Sequence, residues 1–221
     1  MKDPIKIMIV DDHAILRVGL SSLLNTFDDL AVVGDAATGE QAVRLYPSLV
    51  PDVVILDLMM PEMDGIETTK RLKAADPDAR ILILTTFGTS DGISRALDAG
   101  ACGAIMKNAE ITELTKAIRS VAAGKRFVAR EIERIIANDP PVPELTPRQF
   151  EILESLVRGL PSTDIARQLG ISHDMVREHS TALFKKLGAA NRTEAVAIAL
   201  RKQLLKIRKQ GSDLIDIVAL I

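Results

Sequence analysis

The sequence predicts two units of different class: an α/β unit on a five-stranded parallel sheet, then an all-α unit of four helices. Three observations carry this. Short apolar runs alternate with amphipathic stretches over residues 1–124, the pattern of strands and helices that wind a parallel sheet. No strand pattern follows residue 144. Between the two, Pro140-Pro141-Val142-Pro143 sets a stiff, extended connector.

The strands are read at 5–10, 30–35, 53–57, 81–85 and 103–106, each a run of Val, Ile, Leu, Ala or Met. The helices between and after them are read at about 13–26, 39–48, 65–75, 90–99 and 111–122, with Gly34, Gly39, Gly65, Gly100 and Gly103 at turns or element ends. Five strands alternating with five helices match the flavodoxin-like doubly wound order. Residues 125–143 read as a linker with a short helix at about 129–137. Beyond it, helices are read at 147–158, 162–169, 173–187 and 192–208 within a unit spanning 144–208. Thr146-Pro147 supplies an N-cap and a first-turn proline. Leu169-Gly170-Ile171-Ser172 joins the second and third of these helices as the turn of a helix-turn-helix. In the apolar tail, 209–221, Gly211-Ser212-Asp213 ends a basic helix and Leu214 to Ile221 has no assigned role.

Composition narrows the function classes. The chain has 221 residues and is 47% hydrophobic and 26% charged, which is ordinary for a globular protein. Met1-Lys2-Asp3-Pro4 leads into too short an apolar run for a signal peptide, and no segment approaches a membrane helix. Cys102 is the only cysteine, so no internal disulfide forms. These features favour a cytoplasmic protein. Charge is divided: residues 1–124 carry 12 Lys and Arg against 18 Asp and Glu, and residues 125–221 carry 16 against 12. An acidic half suited to a cation is joined to a basic half that permits nucleic-acid binding. Aromatics make up 3% of the chain, which argues against base stacking on single strands.

Chemistry-bearing residues gather at the carboxyl ends of the strands, where open α/β sheets bind ligands. Asp57 ends the run Val53-Val54-Ile55-Leu56, Asp11 and Asp12 follow the first strand, Thr85 ends the fourth, and Lys107 follows the fifth. Three acids, a hydroxyl and an amine fit a magnesium-dependent phosphoryl acceptor. A phosphatase of the DxD type needs a second acid two residues after the nucleophile, and that position is Met59. His13 reads as a structural residue at a helix start.

These residues resemble the NarL/FixJ group of two-component response regulators, which join a receiver domain to a LuxR-type helix-turn-helix. In the first half the likeness rests on Val10-Asp11-Asp12-His13, Leu56 to Pro61 with Asp64-Gly65, Leu84-Thr85, and Gly103 to Lys107. In the second half it rests on Leu145-Thr146-Pro147-Arg148, Ile165-Ala166, Leu169 to Ser172, Val176-Arg177-Glu178-His179 and Lys186-Leu187-Gly188.

The resemblance implies that Asp57 is phosphorylated by a sensor histidine kinase, with Lys107 and Thr85 contacting the phosphoryl group. It implies that Mg2+ is held by Asp12, Asp57 and the Met59 carbonyl, with Asp11 acting through water. It further implies that the second unit binds double-stranded promoter DNA as a homodimer.

In that unit the recognition helix is 173–187, with Met175, Val176, His179, Leu183 and Leu187 facing inward. Ser172, Arg177, Glu178, Thr181, Lys185, Lys186 and Arg192 are the candidate DNA contacts, with Arg177 the candidate base reader. Ala195, Ile198 and Ala199 on the last helix serve either a dimer interface or the core. The family's switch uses an aromatic three residues before the lysine, and here that position is Ala104, with Phe87 nearby. Two alternatives stay open: DNA binding that ignores phosphorylation, from Ala104, and a protein-binding relay without a DNA target, from Glu178.

Overall fold

The computed structural model describes residues 3–86, 89–202, 204–210 and 214–219. The chain divides into two compact units, 1–140 and 141–221. The calls on Met1-Lys2, Phe87, Gly211 to Asp213, Leu220 and Ile221 lie outside the described residues.

The first unit alternates β1 (Ile5–Val10), α1 (Ala14–Leu24), β2 (Leu30–Ala36), α2 (Gly39–Leu49), β3 (Val53–Asp57), α3 (Gly65–Ala75), β4 (Ile81–Thr85), α4 (Ser90–Asp98), β5 (Gly103–Met106) and α5 (Ile111–Ala122). It then adds β6 (Phe127–Val128) and α6 (Arg130–Asn138). The sheet is parallel with order β2-β1-β3-β4-β5-β6. Every residue of β3, β4 and β5 is buried, as continuous apolar strands covered on both faces must be. Strand order reverses between β1 and β3, so a crevice opens at the carboxyl ends of these two neighbours.

The sheet therefore has six strands, where the sequence reads five. Two residues are too few for a periodic signal, yet Phe127 and Val128 pair with Gly103 and Ala104 and cover the β5 edge. The segment read as linker also changes role. In α6, Ile132 is fully buried in the core of the first unit, with Ile135 and Ile136 packed against it. Apolar residues at i, i+3 and i+4 bury one helix face. Residues 127–138 thus belong to the first unit.

The second unit contains α7 (Pro147–Val157), α8 (Ser162–Leu169), α9 (His173–Leu187) and α10 (Arg192–Arg201). Thr146 and Gln149 form a reciprocal capping box at α7. Gly170 closes α8 at φ 64, a left-handed conformation that glycine adopts at little cost, and Ser172 caps α9. Ile152, Leu153, Ile165, Val176, Leu183, Ala195 and Ala199 are fully buried and form the core. α10 ends at Arg201, seven residues before the expected end, and an antiparallel hairpin follows: β7 (Leu205–Gln210) and β8 (Leu214–Ala219). The run Leu205-Lys206-Ile207-Arg208 alternates with period two, which favours a strand over the basic helix read from its charge.

Ile132→Ala is expected to lower the unfolding free energy of the first unit by about 3 kcal/mol, read from the urea midpoint of the full chain. No change would return α6 to the role of a linker.

Candidate functional site

The crevice between β1 and β3 collects the predicted acids. Val10 pairs with Leu56, Asp57 with Leu84, and Thr85 with Met106, so the ends of four strands lie in one row. The Lys107 N–H donates to the Thr85 carbonyl at 2.7 Å, which carries its side chain back toward the row. Gly65 is required behind it, because a Cβ there would overlap the Asp57 carbonyl oxygen.

Lys107 Nζ lies 2.6 Å from Asp11 Oδ2 and 2.8 Å from Asp57 Oδ2, and both carboxylates are 2% exposed. The other Asp57 oxygen accepts from the Met59 N–H at 3.2 Å. Thr85 Oγ1 is buried with no hydrogen-bond partner among the described residues, an unmet donor at the end of β4. Asp12 is more open, and one oxygen from each of Asp11, Asp12 and Asp57, with a His13 ring nitrogen, falls within a 4.8 Å group suited to a metal ion.

Electrostatics follow from this crowding. Burial pushes the Asp57 carboxyl up from its ordinary value, and the charge of Asp11 adds to it; the Lys107 ammonium and the Met59 N–H pull the other way without cancelling the rise. Burial also opposes charge on Lys107, but hydrogen bonds and charges from Asp11 and Asp57 outweigh it and hold the ammonium above its ordinary value.

Two residues enter the site that the sequence reading did not place there. The His13 ring nitrogen Nδ1 lies 3.0 Å from Asp11 and 2.9 Å from Asp12, so the residue read as structural bridges both acids. Arg17, one turn along α1, donates to the Asp11 carbonyl at 2.7 Å and pairs with Asp35 at 2.7 Å. The spacing of His13 and Arg17 on one helix face was the available signal.

The second candidate surface is α9. Arg177, Glu178, Thr181 and Lys185 are exposed on it, as expected. Ser172 accepts from the Met175 N–H and so caps the helix. Three expectations change. Met175 is exposed, leaving Val176, Leu183 and Leu187 as the fully packed face. Lys186 turns inward and donates to the Glu144 carbonyl at 2.6 Å and Gln149 Oε1 at 2.9 Å. Arg192 donates to the carbonyls of Leu160 and Leu156 at 2.8 and 3.1 Å, satisfying acceptors at the end of α7. Ala195, Ile198 and Ala199 are buried in the core, which decides between the two uses left open for them.

The comparisons bear on both sites. The family described as the response regulator receiver domain matches residues 7–119. The family of bacterial regulatory proteins of the luxR type matches residues 143–199. The nitrate/nitrite response regulator protein NarL of Escherichia coli K12 is 34% identical over 203 residues, 88% of this chain and 94% of that protein. The response regulator protein VraR of Staphylococcus aureus Mu3 is 33% identical over 207 residues, 91% and 99%. Among solved structures, RcsB from Salmonella enterica serovar Typhimurium, bound to promoter P1flhDC in the presence of phosphomimetic BeF3−, aligns with a TM-score of 0.68 at 27% identity, covering 89% of this chain and 98% of that one.

An acid whose folded-state pKa lies above its unfolded value costs stability as pH rises from the unfolded value through the folded one. For Asp57 that loss begins at 3.8. Asp57→Asn is therefore expected to raise the urea midpoint at pH 7 without divalent cation, and to flatten the fall in stability above pH 4. A lower midpoint at pH 7 would mean that the pairing with Lys107 outweighs burial.

Proposed function

The chain belongs to the two-component response regulators that join a receiver domain to a LuxR-type DNA-binding domain, and from that premise we propose that Asp57 is the phosphoryl acceptor and α9 the DNA reader. The observation that carries this reading is the Lys107 ammonium held between Asp11 and Asp57 at the switch point of the sheet. The family's role is regulatory, and Met59 in place of an acid two residues after Asp57 leaves no general acid for rapid turnover.

A sensor histidine kinase is the proposed donor. An Asp57 oxygen attacks phosphorus, the bond from phosphorus to the donor's imidazole nitrogen breaks, and the electron pair leaves with the imidazole. Lys107 faces the transferred group with a fixed positive charge, and the unpartnered Thr85 hydroxyl donates to one of its oxygens. The hard oxygen donors fit magnesium: Asp12, Asp57 and the Met59 carbonyl would hold it, with Asp11 acting through water. When bound, the ion offsets negative charge on the phosphoryl oxygens. Beside the pocket, α1 exposes Ile15 at 90% and Val18 at 67%, three residues apart on one face. An apolar patch next to the acceptor suits the docking surface of the kinase.

In the second unit α9 enters the major groove of promoter DNA, the chain binding as a dimer on paired half-sites. Arg177 reads a base, and Glu178, Thr181 and Lys185 line the same face. The internal hydrogen bonds of Lys186 and Arg192 reserve those side chains for holding the unit together. One observation favours a second reading: Ala104 removes the aromatic on which the family's switch relies, so DNA binding could ignore phosphorylation.

Affinity for DNA from upstream of the chain's own gene separates the readings. Addition of Mg2+ with beryllofluoride is expected to tighten binding in the wild-type chain and to do nothing in Asp57→Asn. Equal affinity in both states would establish the second reading. Arg177→Ala is expected to lose about tenfold to a hundredfold in affinity, while Arg192→Ala is expected to act first on stability.

A further inference from the structure

Helix α1 begins against the usual local rules. Its N-cap, His13, makes no side-chain cap hydrogen bond, its first turn holds no acid, and its first charged residue is the cation Arg17. A helix N-terminus favours negative charge, and helical side chains lean back toward that end, so a cation one turn in is locally disfavoured. Choices that break a local rule are expected where function requires them. We propose that Arg17 is a positioning residue of the acid pocket: its guanidinium fixes the peptide between Asp11 and Asp12, and so aims the carboxylate of Asp12 at the metal ion. This rests on the reading of Asp57 as the phosphoryl acceptor and of Asp12 as a magnesium ligand.

The guanidinium is held at two points. Its Nη1 donates to the Asp11 carbonyl oxygen and its Nε to Asp35 Oδ2, both at 2.7 Å. Asp35 is the next-to-last residue of β2, and the last, Ala36, accepts from the Asp11 N–H at 3.1 Å. The end of β2 thus holds the Asp11 backbone twice: at its N–H directly, and at its carbonyl through Arg17. The Asp11 carbonyl and the Asp12 N–H belong to one planar peptide, so fixing the first sets the direction in which the chain presents Asp12. Asp11 has its own anchors, because Oδ2 lies 2.6 Å from Lys107 Nζ and Oδ1 accepts from the His13 N–H at 2.8 Å. The Asp12 carboxylate faces only the well-exposed His13 ring among the described residues, at 2.9 Å, so its aim depends on the backbone beneath it. Arg17 is 16% exposed and Asp35 53%. An ion pair that open adds little to folding stability. A rigid planar fork that bonds two groups at once sets geometry instead, and a lysine ammonium cannot reproduce it.

The test uses the full chain as wild type, Arg17→Lys, Arg17→Ala, Asp35→Ala and Arg80→Lys. Arg80 donates to the Ala122 carbonyl at 2.6 Å beside the amino end of β4, the end of the sheet opposite the pocket, and so controls for the mere loss of an arginine–carbonyl bond. Mg2+ affinity is measured by calorimetry, the rate of phosphorylation by acetyl phosphate is followed against Mg2+ concentration, and the urea midpoint is recorded for each chain. Both Arg17 variants are expected to bind Mg2+ about tenfold more weakly than the wild type, and Asp35→Ala to lose less, because Nη1 can stay on the carbonyl. The loss is expected in the Mg2+ concentration that gives half the maximal rate, with the rate at saturating Mg2+ near that of the wild type. Arg80→Lys is expected to lower the urea midpoint and to leave Mg2+ affinity unchanged. Wild-type Mg2+ affinity in both Arg17 variants, or a loss in Arg80→Lys as large as in Arg17→Lys, overturns the role of Arg17 alone. A wild type that neither binds Mg2+ nor gains a phosphoryl group overturns the reading of the pocket and the role of Arg17 with it.

Discussion

One ammonium group makes the acid pocket possible. Two carboxylates, each almost without exposure, stand side by side at the carboxyl ends of β1 and β3, and Lys107 reaches both. Without it, two buried like charges would share a low-dielectric crevice with no counter-charge. The sheet supplies the rest. Strand order reverses between β1 and β3, and at such a switch point the connections leave in opposite directions and a crevice forms at the strand ends. The incomplete neutralisation of Asp57 is a property of the same arrangement. A carboxylate held above its ordinary pKa and a buried hydroxyl without a partner among the described residues are local costs, of the kind that a bound cation or anion would relieve.

The acid pocket was legible in the sequence because its residues sit at strand ends, and strands announce themselves by apolar runs. Asp11, Asp12, Asp57, Thr85 and Lys107 could each be placed from the run that precedes it. The candidate surface of α9 was legible only by face. Helical period separates Val176 and Leu183 from Arg177 and Glu178, but it cannot follow a long flexible side chain. Lys186 and Arg192 look like phosphate contacts by charge alone, yet both reach backbone carbonyls of their own unit. Where the reading failed at the level of elements, the segments were short or mixed in pattern. β6 has two residues, and the basic run after Arg201 alternates as a strand does while its charge resembles a helix end.

The segment read as linker is part of the first unit and of its core. A connector with no packing can transmit little, because a displaced end relaxes within the chain itself. α6 is different: Ile132 is buried in the core of the first unit, and Ile135 and Ile136 pack against that core. The same packing that fills the space above Ala104 also brings α6 against α4. A small buried residue at position 104 and a packed α6 are then two aspects of one arrangement, in which β6 covers the β5 edge and α6 continues directly from it.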